Sequence, residues 1–265
     1  MTPALLIAAG VLFVSALALR FRSRFFAVYV FVYLGLVGLI ALGMLGALPE
    51  AVGPAVFYLL GATFLHSAGL IWAKPRPLLF RAFITWPGLF FAAGTLLAFP
   101  WAIAAAVDSP LPWPLLPYAI ALVGVFESVW LRPSEVDLVL DEEDVGAVVR
   151  RRARGEARVE RPLRLVQITD PHLGPFMSKE RLRTICQRAV ARDPDLVLLT
   201  GDFLTMESQA DPSLLADALE PLRALEGRVF ACRGNHDLEA PHTVATALER
   251  ARVRLLVNEE AWVET

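Results

Sequence analysis

Three short polar clusters in the second half of the sequence carry side chains suited to chemistry. They are Asp170-Pro171-His172, Gly201-Asp202 and Gly234-Asn235-His236-Asp237. Asp, His and Asn together form a hard-to-borderline donor set, which suits a divalent ion such as Mn, Fe or Zn. Carboxylates crowded together without a cation would repel one another and take up protons. The two aspartates lie 32 residues apart and Asn235 lies 33 further on, roughly one strand-plus-helix unit each time. The chemistry is therefore metal-assisted, with no Ser or Cys nucleophile motif required. A Gly-rich phosphate loop ending in Gly-Lys is absent from the sequence, which excludes that class of nucleotide hydrolase.

The elements that precede the clusters alternate regularly. Leu163–Thr169, Leu196–Thr200 and Arg228–Cys232 are short β-rich or continuously apolar runs, with a further strand at Arg254–Val257. Ser178–Arg192 places Leu182, Ile185, Ala189 and Val190 on one helix face, with Ser178 as N-cap. Ser213–Leu225 reads as a helix that Pro221 kinks or shortens, and Thr243–Arg252 as another. Strand-helix alternation of this kind predicts a parallel sheet with right-handed crossovers. Each polar cluster directly follows a strand, and the carboxyl ends of strands are where open α/β sheets bind ligands.

The three clusters, within VQITDPHLG, LVLLTGDF and CRGNHD, resemble the opening blocks of the calcineurin-like metallophosphoesterase superfamily, in its bacterial membrane-anchored branch. The resemblance covers about Leu163–Val263 and implies an α/β fold in which a β-sandwich is flanked by helices. It implies two divalent metal ions, with Asp170 and His172 on the first, Asp202 bridging both and Asn235 on the second. It assigns His236 a place near the scissile phosphate, as general acid or hydrogen-bond donor, and Asp237 a supporting role beside it. Pro171 stands where many members carry Leu. The family completes its site with a lone His and a final Gly-His-x-His block, whereas His242 is the one histidine after His236. Four protein ligands for two ions leave each ion short of nitrogen donors. The expectation is that residues 163–265 form the N-terminal part of such a domain, with an apolar sheet face left uncovered.

The rest of the chain has a different composition. Of the 265 residues 56% are hydrophobic, against about 45–50% in ordinary soluble proteins. The excess lies in residues 1–131, which hold 6 Lys+Arg and 3 Asp+Glu, whereas residues 132–265 hold 19 and 24. A single soluble globule is excluded, and the formal charge of −2 argues against a nucleic-acid partner. Five apolar runs approach the roughly 20 residues that a membrane-spanning helix needs. They are Thr2–Leu19, Phe25–Leu48, Ala55–Trp72, about Ala82–Val107 and about Trp113–Leu131. A charged linker over 132–162 separates this membrane domain from the α/β domain.

Lys and Arg alternate strictly between the loops: Arg20, Arg22 and Arg24 after the first run, Lys74, Arg76 and Arg81 after the third, Arg132 after the fifth. The loops after the second and fourth runs carry none. By the positive-inside rule the N-terminus faces out and the catalytic domain is cytoplasmic, in a multi-pass inner-membrane protein. His66, Arg81 and Glu127 lie inside apolar runs; His66 reads as an interhelical hydrogen bond and the other two as snorkelling side chains. Gly35, Gly38, Gly43 and Gly46 mark close helix packing. Cys186 and Cys232 read as buried thiols in a reducing compartment. The function these features predict is a membrane-anchored phosphohydrolase, cleaving a phosphoester or pyrophosphate of a lipid-linked or nucleotide substrate. The alternative is a non-catalytic membrane scaffold or sensor whose phosphoesterase-like domain only binds.

Overall fold

The computed structural model describes residues 2–130, 133–143, 146–157 and 162–263. The apolar half folds into helices α1 (Pro3–Phe21), α2 (Arg24–Leu45), α3 (Gly53–Gly69), α4 (Leu78–Leu97), α5 (Phe99–Ala106) and α6 (Leu116–Val129). Among the described residues, four stretches are long and apolar enough to cross a membrane: α1, α2, Glu50–Gly69 and α4. Their cores knit through Val30, Leu34, Met44 and Phe91, while large apolar side chains such as Phe13, Leu39 and Phe83 face outward, as lipid-facing residues do. Of the three glycines in α2, Gly38 and Gly43 meet neighbours closely, against Ile7 and Ala102; Gly35, and Gly46 just past the helix end, face open space.

Two of the apolar runs fold differently from a simple span. The fourth breaks at Ala98, because Pro100 has no N–H to continue the ladder, and restarts as α5. The fifth yields α6, a 14-residue helix, about 21 Å long against a hydrocarbon core of about 30 Å. Leu131 and Arg132, where that run ends, lie outside the described residues. Within α4, residues Arg81–Thr85 widen into a π-turn just before Pro87. Proline cannot donate to the Phe83 carbonyl four residues back, and the Tyr58 hydroxyl donates to it instead at 2.5 Å.

The connector contains more structure than a solvated linker. Leu138–Glu143 (β1) pairs antiparallel with Gly146–Arg151 (β2); Asp144 and Val145 between them, and Arg158–Arg161 beyond, lie outside the described residues. Two of its arginines are matched by acids: Arg150 forms a bidentate pair with Glu156 at 2.9 and 2.8 Å, and Arg152 reaches Asp137 at 2.8 Å.

The C-terminal domain is the α/β unit that the alternation predicts. Strands β3 (Leu165–Ile168), β4 (Leu196–Thr200), β5 (Val229–Cys232) and β6 (Arg254–Leu255) form one parallel sheet in sequential order. Sequential order with right-handed crossovers sends every connecting helix to the same face. Helices α7 (Lys179–Val190), α8 (Pro212–Leu219) and α9 (Pro241–Arg250) accordingly pack on Val197, Leu199, Val229 and Ala231. The other face presents Leu165, Gln167, Leu198 and Cys232, which are half-buried or exposed. Ser178 caps α7 as expected, accepting from the Arg181 N–H at 3.2 Å. The predicted Ser213–Leu225 helix is α8 followed by a 3-10 turn over Glu220–Leu225, the change falling at Pro221.

The two halves meet at one end of the helices. Met206 packs against the membrane core, Gln209 accepts from Arg22 at 3.2 Å, and Trp86 donates to the Pro175 carbonyl at 3.3 Å. His66 does not make the interhelical bond its sequence suggests. Its Nδ1 lies 4.0 Å from Glu207 of the domain, and both side chains are buried.

Candidate metal centre

The strand ends bring the first two clusters together. Register pairs Ile168 with Leu199 and Thr200 with Cys232, so the loops that follow leave the sheet edge side by side. Ligand atoms of Asp170, His172 and Asp202 all lie within 4.8 Å of one another. His172 Nε2 is 4.0 Å from Asp170 Oδ1 and 4.0 Å from Asp202 Oδ2. That is too long for hydrogen bonds. Donors about 2.1 Å from a metal stand about 3.4 Å apart in a tetrahedral shell, so these groups would need to draw together by only about half an ångström around an ion.

The backbone is bent to achieve this. Asp170, His172 and Asp202 have φ of 47°, 43° and 53°, in the left-handed region that non-glycine residues avoid. Such conformations cost about 1–3 kcal/mol each and persist when the surroundings hold them. Here the two loops zip together: the His172 N–H donates to the Asp202 carbonyl at 3.0 Å, and the Leu173 N–H to Phe203 at 2.8 Å. Gly201 (φ 82°) and Gly234 sit back to back; a Cβ on Gly234 would fall 2.1 Å from Asp202 Oδ1. No other residue type fits there without displacing the carboxylate.

Asp237 lies beneath the site and is fully buried. Its two oxygens accept from the backbone N–H groups of Asp202 (2.8 Å), Phe203 (2.9 Å) and Gly234 (2.9 Å). A carboxylate so occupied fixes the ends of β4 and β5 relative to each other; it is a positioning residue. Asn235 is exposed and lies between Gly234 and His236, both of which touch Asp202; the His236 N–H donates to Asp202 Oδ1 at 2.9 Å. That bond leaves Oδ2 of Asp202 directed at His172. The imidazole of His236 stands edge-on to His172 with ring centroids 5.2 Å apart. Its Nδ1 is 3.8 Å from Glu239 Oε1.

The donor set fits a divalent ion. Two carboxylates and an imidazole converge, and the ion pairs at Asp170 and Asp202 among the described residues involve His172 alone, with no Lys or Arg to offset the charge. Two residues of the site escape a motif reading. Glu239 follows His236 at a spacing that one helical turn brings together, a signal present in the sequence. Gln209, whose amide donates to Glu239 Oε2 at 2.7 Å, lies 30 residues away and carries no local signal.

Comparison with known proteins agrees with this geometry. Residues 163–262 match the family model of the calcineurin-like phosphoesterases. The chain is 28% identical to phosphodiesterase YaeI of Escherichia coli over 108 residues, 39% of this chain and 40% of that protein. It is 37% identical over 75 residues to the UDP-2,3-diacylglucosamine pyrophosphatase LpxG of Chlamydia trachomatis, 28% of this chain and 22% of that protein. A transmembrane protein with metallophosphoesterase domain from Danio rerio is 35% identical over 77 residues, 28% of this chain and 17% of that protein. The chain therefore spans less than half the length of these relatives. No solved structure matches it significantly. Membrane-length helices thus precede a domain that matches the calcineurin-like phosphoesterase family and carries an Asp-His-Asp cluster at its strand ends.

Proposed function

We propose that the protein is a membrane-anchored, metal-dependent phosphohydrolase acting on a phosphoester or pyrophosphate bond. The observation that carries this reading is the convergence of Asp170, His172 and Asp202 on strained backbone, braced from below by Asp237. Strain held on two adjacent loops points to a functional site. In this reading Asp170 and His172 would hold one divalent ion, Asp202 would be shared, and Asn235 would serve a second. Such ions supply neutralisation of phosphate charge and an activated water at neutral pH. The chain's own groups do the rest. Asp237 keeps Asp202 in register, and the His236 N–H fixes the Asp202 rotamer. The exposed imidazole edge of His236 delivers a proton to the departing oxygen.

A lipid-linked substrate suits a domain seated on membrane helices, and LpxG, by its name, acts on a diacylated sugar nucleotide. The domain docks at the helix ends that carry Arg22, Arg76 and Arg81, and positive residues mark the cytoplasmic side. This supports a cytoplasmic active site; activity of a periplasm-only reporter fused after Val263 would reverse it.

The test is hydrolysis of bis(4-nitrophenyl) phosphate by the full-length protein with Mn²⁺, beside Asp202→Asn. Loss of a shared ligand is expected to lower turnover by about 100-fold or more. Unchanged turnover in Asp202→Asn would remove the assignment.

A further inference from the structure

Where the two halves of the chain meet, the surface forms an open, shallow cleft of about 330 Å³. One wall is Ala73, in the loop after α3; the domain supplies Gln209, Glu239, His242 and Thr243. The lining is built rather than incidental. Gln209 is held on three sides: its amide donates to Glu239 at 2.7 Å, its Oε1 accepts from Arg22 at 3.2 Å, and its backbone carbonyl accepts from the Thr243 hydroxyl at 2.7 Å. Glu239 belongs to both sites. It lines the cleft, and its other oxygen lies 3.8 Å from His236 Nδ1. The cleft thus begins where the metal centre ends.

Its chemistry is that of a hydroxyl-binding surface. The Glu239 carboxylate and the Thr243 and His242 side chains offer acceptors and donors at the walls, with no exposed Lys or Arg among the lining residues to select a second phosphate. Its position adds a second constraint. Ala73 follows the exposed Trp72 at the end of a membrane-length helix, at the level where indole rings sit in the bilayer interface. A molecule in the cleft therefore has protein polar groups on one side and the lipid boundary on the other.

We infer that this seam cleft is the headgroup subsite for a lipid-anchored phosphate. The hydroxyl-bearing portion of the substrate lies among Gln209, Glu239 and Thr243, the scissile phosphate reaches the His236 side, and the acyl chains stay in the bilayer beside Trp72. This rests on the phosphohydrolase reading and deepens it: the membrane half is a wall of the substrate site as well as an anchor.

A graded series, Ala73→Val, Ala73→Leu and Ala73→Trp, fills the cleft from the membrane side without touching the metal centre. Each full-length variant is assayed with Mn²⁺ on UDP-2,3-diacylglucosamine and on bis(4-nitrophenyl) phosphate. The KM for the lipid is expected to rise with side-chain size, by about tenfold or more at Trp, while kcat/KM for the soluble ester stays within about twofold. Binding of the lipid to metal-free protein, measured by calorimetry, should weaken in the same order. A parallel fall on both substrates would show that Ala73 only supports the fold, and an unchanged lipid KM would show the cleft unused; either overturns the inference. Wild-type protein that cleaves the soluble ester alone would leave the phosphohydrolase reading standing and remove the subsite. Wild-type protein that cleaves neither would remove both.

Discussion

The carboxylate of Asp237 accepts the main-chain N–H of Asp202 at 2.8 Å, 35 residues away, with no solvent access. One buried side chain therefore sets the position of the ligand proposed to be shared between two ions. Leaving buried N–H groups unpaired costs about 1–3 kcal/mol each. Asp237→Ala strands three of them and is expected to destabilise the domain by several kcal/mol, on the order of 3–5. Asp237→Asn is the sharper test, because its NH₂ group must face one of the N–H donors. Denaturant unfolding should show a loss of about 1–3 kcal/mol, and metal analysis a lower retained content. A variant that keeps wild-type metal content would show that Asp237 does not position Asp202.

Gly234→Ala asks for a different signature. Its Cβ would meet Asp202 Oδ1 at 2.1 Å and the Asp202 nitrogen at 2.5 Å. The clash is local and falls on the ligand itself, so turnover and metal retention should drop far more than stability. Activity is expected to fall by about 10–100-fold, with the far-ultraviolet circular dichroism unchanged. An active Gly234→Ala enzyme would mean that Asp202 has freedom which its hydrogen bond to His236 does not indicate.

The strand ends were legible because length and position coincide: continuous apolar runs as short as Leu196–Thr200 have the length of a strand and not of a helix, and the polar clusters follow them closely. Ligand type was legible for the same reason. The bracing was not. That Asp237 would turn inward and bind three N–H groups depends on how β4 and β5 pair, and Gln209 and Glu239 meet only because α8 and the loop before it return to the same edge. The membrane helices show the same division. Hydropathy located them, but only packing decided that His66 faces Glu207 of the domain. The α4 π-turn follows from Pro87, a residue visible in the sequence whose consequence required knowing that Tyr58 would serve the freed carbonyl.

Asp211 caps α8. Its carboxylate accepts from the Ser213 N–H at 2.9 Å and the Ser213 hydroxyl at 2.6 Å, and these bonds hold its pKa below the ordinary value. A group whose pKa is lowered on folding contributes stability above its unfolded pKa and loses it as pH falls through the folded value. Asp211→Ala should therefore cost about 0.5–2 kcal/mol near neutral pH. The gap between wild type and variant should close in acid, below the ordinary carboxylate range. A gap that stays constant down to strong acid would mean the charge plays no part in the cap.

The two cysteines should behave as opposites toward a thiol reagent. Cys186 lies in α7 with no exposed surface, packed in the core with Leu182, Ala189 and Val197, and burial pushes its thiol up to about 12. The thiolate is the reactive form, so at mildly alkaline pH this residue is both inaccessible and almost wholly protonated. Cys232, expected to be buried, is instead exposed, because the end of β5 turns it to the sheet face that carries no helix. Ellman's reagent should therefore titrate one thiol in the native protein and two in guanidinium chloride. Cys232→Ser should remove the native reaction and leave the other. Cys186→Ser places a hydroxyl in that apolar core, and an unpaired one costs about 1–3 kcal/mol, visible as a lower denaturation midpoint. Two thiols reacting at one rate in native protein would mean that α7 lifts from the sheet. The β3–β4 connection carrying Asp170 and His172 would then be looser than the metal centre requires.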